Sequence, residues 1–74
     1  MITGDRLRRC RIHAGETQTS VAEKMGVLQP TVCRLEKRKR LTPKQAALFH
    51  SWWDVESVRL IKELEAKIAY LKAL

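Results

Sequence analysis

The chain has 74 residues, 15 lysines and arginines against 8 aspartates and glutamates, and a formal net charge of +7. This length allows one domain with a small core, and self-association is a common remedy for the marginal stability that follows. No apolar run reaches the roughly 20 residues of a membrane span, and the basic N-terminus lacks the apolar core of a signal peptide, so we expect a soluble cytoplasmic protein.

The cysteines and histidines do not form a recognisable chemical site. Cys10 and Cys33 lie far apart, and neither stands at metal-ligand spacing from His13 or His50. We therefore expect free thiols, no metal and no cofactor. No nucleophile stands beside a base and no phosphate-binding loop is present, so we do not expect an enzyme.

The positive charge is confined to the first part of the chain. Residues 1–44 hold eleven cations and four anions, whereas residues 45–74 hold four of each. This asymmetry predicts a polyanionic partner for the first part and a different task for the second. The alternative is a basic surface kept only for solubility.

The first elements are predicted to be helices, because no segment alternates apolar and polar residues as a strand does. Residues 6–14 form a first helix with one apolar face, and Gly15 ends it. Thr17 is a good N-cap for a second helix that runs to about Met25 and ends at Gly26.

Two further helices begin at prolines. Pro30 suits the first turn of a third helix that runs to about Lys37, and Thr42 followed by a proline signals a fourth. Trp52 and Trp53 follow in the fourth helix, and at least one of them is expected to close the core beneath the third.

The remainder of the chain is strongly helical. Ser51 and Asp54 each suit the cap of a fresh helix, and continuation of the fourth is the alternative. Residues 55–74 contain no glycine or proline and are rich in Ala, Leu, Glu and Lys. An all-α fold is predicted.

The second and third helices fit a helix-turn-helix. Gln18 opens a twenty-residue window in which Ala22 provides the small residue at the helix crossing and Gly26 the positive φ of the turn. Five apolar residues supply the shared core: Val21, Met25, Val27, Val32 and Leu35.

The segment "RLRRCRIHAGETQTSVAEKMGVLQPTVCRLEKRKRLTP" resembles the DNA-binding domain of the lambdoid phage repressors and Cro proteins, also called the xenobiotic-response-element-like family. The motifs "TQ", "VA", "G-V" and "T-V-x-R-L-E" and a proline opening the fourth helix carry the resemblance. It covers roughly residues 4–57 and implies a five-helix DNA-binding domain, which we place at residues 1–57. Residues 58–74 are predicted to form a C-terminal helix that extends beyond this domain.

The resemblance also implies roles for individual residues. Base edges in the major groove would be read by Gln29, Pro30, Thr31 and Arg34. Backbone phosphates would be bound by Gln18, Thr19, Arg38, Lys39, Arg40 and Lys44. A structural ion pair would join Arg11 and Glu36. Three positions depart from the family pattern. Leu28 stands where Ser or Thr normally caps the third helix, which makes Gln29 the nearest cap, and Glu16 replaces a usually apolar residue. Pro30 is unusual among base-reading residues and brings no hydrogen-bond donor.

The last helix carries a predicted dimerisation stripe. Ile61, Leu64, Ile68 and Leu71 occupy heptad positions, with Val58 flanking them. Val55 and Val58 are expected to pack in part against the domain, and the alternative to dimerisation is a helix packed wholly on its own domain.

These patterns together predict a dimeric, sequence-specific repressor of a phage or other mobile element that binds an inverted repeat in double-stranded DNA, without a membrane or small-molecule ligand. The alternative is an antitoxin-like protein that binds a partner protein through its C-terminal helix and represses its own promoter. The operator, the genetic context and the parallel or antiparallel pairing of the last helix stay open.

Overall fold

The computed structural model describes all 74 residues, and they form four α-helices and no strand. The helices are α1 (Gly4–His13), α2 (Gln18–Met25), α3 (Gln29–Glu36) and α4 (Pro43–Ala73). The predicted all-α class is confirmed, whereas the predicted count of five helices is not found.

The helix starts follow from side-chain caps. The Thr3 hydroxyl accepts a hydrogen bond from the Arg6 backbone N–H, so α1 begins two residues earlier than predicted. Thr17 caps α2 in the same way, and Thr42 forms a reciprocal capping box with Gln45 at the start of α4. These bonds satisfy N–H groups that have no partner inside the helix, which explains why the starts lie where they do.

The expected fourth and fifth helices are one continuous helix. The two side chains suited to capping a fresh helix bond instead within α4: Ser51 Oγ donates to the Leu48 carbonyl at 2.6 Å, and Asp54 lies 3.0 Å from His50 Nδ1. No glycine or proline interrupts the helix beyond Pro43. With no breaker and no free cap, the 31 residues of α4 stay in one helix.

The core lies where α1, α2 and α3 meet the first half of α4. Phe49 and Trp52 from α4 are buried in it, and their rings make an edge contact with centroids 6.4 Å apart. Trp53 packs against the core but is only partly buried. The ten buried core residues are Ile2, Leu7, Val21, Ala22, Met25, Val32, Leu35, Leu41, Phe49 and Trp52.

The second half of α4 projects from this body as an arm, which we define as residues 61–74. Every residue of the arm is exposed, and the molecule measures 45 × 24 × 17 Å along its principal axes. The expectation that Val55 and Val58 pack back on the domain is wrong, since they are 72% and 49% exposed. The alternative of a last helix packed wholly on its own domain is also wrong, because the stripe residues Ile61, Leu64, Ile68 and Leu71 are all exposed. No helix, α4 included, is both long and apolar enough to cross a membrane.

Candidate nucleic-acid interface

The turn between α2 and α3 brings the N-termini of these two helices together. Gly26 ends α2 with φ 72°, and the Val27 N–H donates to the Ala22 carbonyl at 2.9 Å. With Ala22 buried at the crossing, the first residue of α2 lies against the first residue of α3. Gln29 Nε2 donates to Gln18 Oε1 at 2.7 Å.

Hydrogen bonds from Gln18 to Glu36, and from Arg11 to Glu36, hold this pair of glutamines in place. Gln18 Nε2 donates to Glu36 Oε1 at 3.1 Å, and Glu36 also accepts from Arg11 Nε at 2.6 Å and Arg11 Nη2 at 3.1 Å. Arg11 Nη1 donates to the Glu16 carbonyl at 3.1 Å. The structure thus brings together the two residues for which the resemblance implied an ion pair, and it adds Gln18 and Gln29 to them.

The ion pair is shielded from water. The Arg11 and Glu36 side chains are 16% and 5% exposed, and the hydrogen bonds to Glu36 raise the pKa of the Arg11 guanidinium above its usual value, against the opposing effect of burial. A bidentate pair in this geometry holds both side chains in one orientation. The ends of α1, α2 and α3 are therefore tied to one another beneath the surface on which Gln29 lies.

The outer side of α3 carries the other residues expected to read bases. Pro30 and Arg34 are exposed, Gln29 and Thr31 are half-buried, and Arg34 Nη2 lies 3.4 Å from Thr31 Oγ1. None of the four is turned into the core. Thr31 and Arg34, three residues apart, lie on the same side of α3.

Leu28 was noted in the sequence as a departure from the family pattern, but no functional role was predicted for it. It is the N-cap of α3, makes no side-chain cap bond and is 77% exposed. The expectation that Gln29 acts as the cap is wrong, because Gln29 is already inside the helix and its amide is bound to Gln18. The signal was present in the sequence: a large apolar residue replaces a capping hydroxyl where the helix meets solvent.

The basic loop, residues 37–42, lies beside α3 and is held by its backbone. Arg38, Lys39 and Arg40 are exposed, while Leu41 is buried. The Arg38 carbonyl accepts from the Gly4 N–H at 2.9 Å. The Leu41 N–H donates to the Ile2 carbonyl at 2.9 Å. These two bonds fasten the loop at both ends and leave its cations free to face solvent.

Gly4 explains how the loop comes so close to α1. A Cβ at this position would lie 2.2 Å from the Leu35 carbonyl oxygen, 2.5 Å from that of Arg38 and 2.8 Å from that of Glu36. All three atoms belong to the backbone and cannot rotate away, so only glycine fits. The sequence offered only a glycine at a helix start as a signal, and its meaning depends on the partner backbone.

Three further residues from the sequence analysis remain: Thr19 and Lys44, which were expected to bind phosphates, and Glu16, which replaces a usually apolar residue. Thr19 and Lys44 are exposed at the first turns of α2 and α4. Glu16 bonds the Ser20 hydroxyl and the Lys24 ammonium, and these bonds lower the pKa of its carboxyl, with Lys24 the larger cause. Glu16 thus has polar partners where an apolar residue was expected.

No group of three or more His, Cys, Asp or Glu side chains lies close enough to hold a metal ion, and both cysteines are free. Comparison with protein-family models, with curated proteins and with solved structures gives no match for this chain.

Proposed function

We propose that this chain is a sequence-specific double-stranded DNA-binding regulator of the repressor and Cro type, with α3 as its recognition helix. The observation that carries the proposal is the contact between Gln18 and Gln29, which presents the N-termini of two helices on one surface beside an anchored basic loop. Helix N-termini favour phosphate, and the N-terminal part of a recognition helix reads base edges.

The geometry of Gln29 suits adenine. A glutamine amide carries two N–H donors and one carbonyl acceptor, and Gln18 takes only one of the donors. The second N–H and the Oε1 are left for adenine N7 and N6, the bidentate pairing that distinguishes this base. Gln18 therefore both occupies the phosphate-facing end of α2 and sets the orientation of the base-reading amide.

The neighbouring residues take complementary roles. Arg34 reaches guanine or a phosphate, and Pro30 and Thr31 meet a thymine methyl. Leu28, exposed at the start of α3, adds a second apolar contact of this kind. Nonspecific affinity comes from a set of polar and cationic residues that bind phosphates: Gln18, Thr19, Arg38, Lys39, Arg40 and Lys44.

A homodimer formed through α4 completes the proposal. Ile61, Leu64 and Leu71 are each more than half exposed, and Ile68 is 43% exposed. A projecting helical segment as short as the arm is only marginally stable in water unless its apolar face is covered. Two copies would then bind two half-sites of an inverted repeat. The proposal assigns no catalytic residue and no cofactor.

The proposal is tested by selecting binding sites from random duplex DNA with the purified protein. The expected result is an enriched inverted repeat whose binding falls steeply as salt rises, because the cations release counterions from DNA. Gln29→Ala should relax the preference at one base per half-site, whereas Arg38→Ala should weaken all sequences alike. Lys62→Ala, an exposed cation on α4 away from the interface, serves as the matched control. Selection of no sequence, or equal sequence-blind losses from Gln29→Ala and Arg38→Ala, would refute the reading role.

The exposed stripe of α4 also favours a second candidate, an antitoxin-like protein whose α4 binds a different protein. In this candidate the DNA-binding surface is the same, but the apolar stripe of α4 is covered by a different protein instead of by a second copy of the chain. The mass of the purified chain separates the two, since a monomer that gains a defined heterologous partner supports the second candidate and a homodimer supports the first.

A further inference from the structure

A groove between α1 and α4 lies apart from the candidate nucleic-acid interface. Four residues of α1 and one of α4 line a volume of about 300 Å³: Arg6, Arg9, Cys10, His13 and Trp53. The four α1 residues share one side of that helix, because they recur at spacings of three and four. Arg11, which pairs with Glu36, lies about 200° around α1 from Arg9. The groove and the ion pair that supports the base-reading residues are therefore on different sides of α1.

Two guanidinium groups are held in place at this groove. The guanidinium of Arg6 lies 5.7 Å from the centre of the Phe49 ring, and Arg9 Nε lies 3.1 Å from a carboxylate oxygen of Asp5. The pair with Asp5 is exposed, so it is weak and leaves most N–H donors of Arg9 free for a ligand. No acidic residue lines the groove itself.

The charges of the two arginines act on the same part of the groove. Burial raises the pKa of the Cys10 thiol, and the charges of Arg6 and Arg9 act in the opposite direction. Both guanidinium groups are thus close enough to Cys10 for their fields to overlap there. An anion bound beside Cys10 would be attracted by both.

Trp53 forms an aromatic wall of the groove. Its ring centroid lies 5.4 Å from that of Trp52 and 6.5 Å from that of Phe49, and the Trp53 side chain is partly buried against the core. Because two core rings hold the indole, a ligand that stacks on it costs little further side-chain entropy. The groove therefore combines a fixed aromatic surface with two fixed positive charges.

This combination defines the class of ligand. Guanidinium groups bind phosphate oxygens through paired N–H donors, and an indole stacks on the face of a nucleobase. A docked helix, about 10–12 Å across, needs a row of apolar side chains. The groove offers only Trp53 and Cys10 as apolar residues, so a single ring with a single anionic group suits it better.

We propose that the groove binds a nucleoside monophosphate, with the base against Trp53 and the phosphate on Arg6 and Arg9. The same unit is available as a free nucleotide or as an unpaired nucleotide of a single strand. The sequence analysis expected no small-molecule ligand, since the groove exists only where Trp53 of α4 meets the cationic side of α1. The proposal goes beyond DNA binding by α3 and depends neither on it nor on the dimer.

The Cys10 thiol provides a test inside the groove. In a Cys33→Ser chain, the rate at which a soluble aromatic disulfide modifies Cys10 is measured with and without adenosine monophosphate. Saturating nucleotide should slow the reaction at least about fivefold, whereas adenosine, ribose phosphate and inorganic phosphate should each protect at least about tenfold more weakly, because each lacks one of the two contacts. No protection by adenosine monophosphate up to about 10 mM, or equal protection by inorganic phosphate, overturns the inference.

The second thiol is the control for the place of binding. In a Cys10→Ser chain the same nucleotide should leave the reaction rate of Cys33, on α3, within about twofold. Protection of Cys33 without protection of Cys10 places the nucleotide at α3 and overturns the inference. Site selection from duplex DNA tests the proposed function separately, so either proposal can fail alone.

Substitutions separate the two contacts. Arg9→Gln should weaken nucleotide protection of Cys10 at least about threefold. Arg8→Gln makes the same charge change at an exposed position of α1 that does not line the groove, and it should leave the protection within about twofold. Trp53→Leu keeps apolar bulk but removes the ring, and it should weaken adenosine monophosphate at least about fivefold while sparing ribose phosphate. Circular dichroism confirms folding, and equal losses from Arg9→Gln and Arg8→Gln overturn the inference even if Trp53→Leu does not fold.

A single-stranded tetranucleotide distinguishes the two sources of the ligand. If it protects Cys10 at least about tenfold more tightly than adenosine monophosphate, and Arg9→Gln removes that gain, the ligand is an unpaired nucleotide of a strand. Protection by the tetranucleotide no tighter than by the monophosphate identifies a free nucleotide. Both results support the same contacts with Trp53 and the two arginines.

Discussion

Replacing Glu36 by glutamine tests the network that we place beneath the recognition surface. The substitution keeps the shape of the side chain but removes the charge that accepts two hydrogen bonds from Arg11 and one from Gln18. The guanidinium then stays largely shielded, with the Glu16 carbonyl as its other partner. Removing one member of a buried pair costs about 3–5 kcal/mol, and we expect about 2–3 kcal/mol here because glutamine retains part of the bonding and Arg11 is not fully buried. A domain of this size has roughly 4–11 kcal/mol in total.

A double-mutant cycle measures the coupling directly. Glu36→Gln, Arg11→Met and the double variant are unfolded in urea, and the free energy of unfolding is compared across the four proteins. We expect the double variant to lose at least about 1 kcal/mol less than the sum of the single losses, because the second change removes a charge already left without its partner. Thr19→Ala, at an exposed position on α2, is the control and should cost little.

Glu36→Gln should also change how well the protein discriminates between DNA sequences. Without Glu36 to hold it, Gln18 no longer fixes the amide of Gln29, so the discrimination at the base read by Gln29 should fall while general affinity for DNA persists. The measurement is the ratio of dissociation constants for the selected site and a site altered at that base. Additive losses within about 0.3 kcal/mol, together with an unchanged ratio, would refute the reasoning that these residues act as one network.

The remaining predictions concern the loop, acid stability and the arm. Gly4→Ala should destabilise the fold by up to about 3 kcal/mol and weaken DNA binding, because the added Cβ meets three backbone oxygens. Gly15→Ala is the control: its φ is 69° and no atom lies within 4 Å of the added Cβ, so it should cost about 1–2 kcal/mol and leave DNA binding unchanged. If both variants bind DNA equally well, Gly4 does not position the loop. Because Lys24 and Ser20 lower the pKa of Glu16, its contribution to stability is present above the unfolded pKa of about 4.3 and is lost as the pH falls further. The urea midpoints of wild type and Glu16→Gln should therefore converge between pH 6 and pH 3, and a constant difference would contradict this. Truncation after Ser57 should yield a monomer by light scattering, and a truncated dimer would locate the interface elsewhere.

The starts of α2 and α4 and the end of α2 could be predicted because they depend on short-range chemistry. Thr17 and Thr42 bond N–H groups three residues away, and Gly26 takes a positive φ that other residues avoid. The same local reasoning left two outcomes open at Ser51 and Asp54, because a side chain that can cap a new helix can equally bond within a continuing one. Local sequence offered both outcomes, and only the surrounding helix selected between them.

The candidate site divides in the same way. The spacing of residues on α2 and α3 predicted which side chains lie near the turn, since helix periodicity and one tight turn leave little freedom. The bond of Gln29 to Gln18 and the need for Gly4 against the end of α3 join residues whose separation depends on how three helices pack. No local pattern records such a contact.

By itself, the order of residues in this chain determined an all-helical body, its charged half and a helix with an apolar stripe. Tertiary structure alone decided that the arm stands clear of the body, that Val55 and Val58 face solvent, and that Trp53 lies in a groove beside the arginines of α1. The physical reason is that caps and periodicity act over a few residues, whereas exposure depends on which distant atoms fill the space beside a side chain.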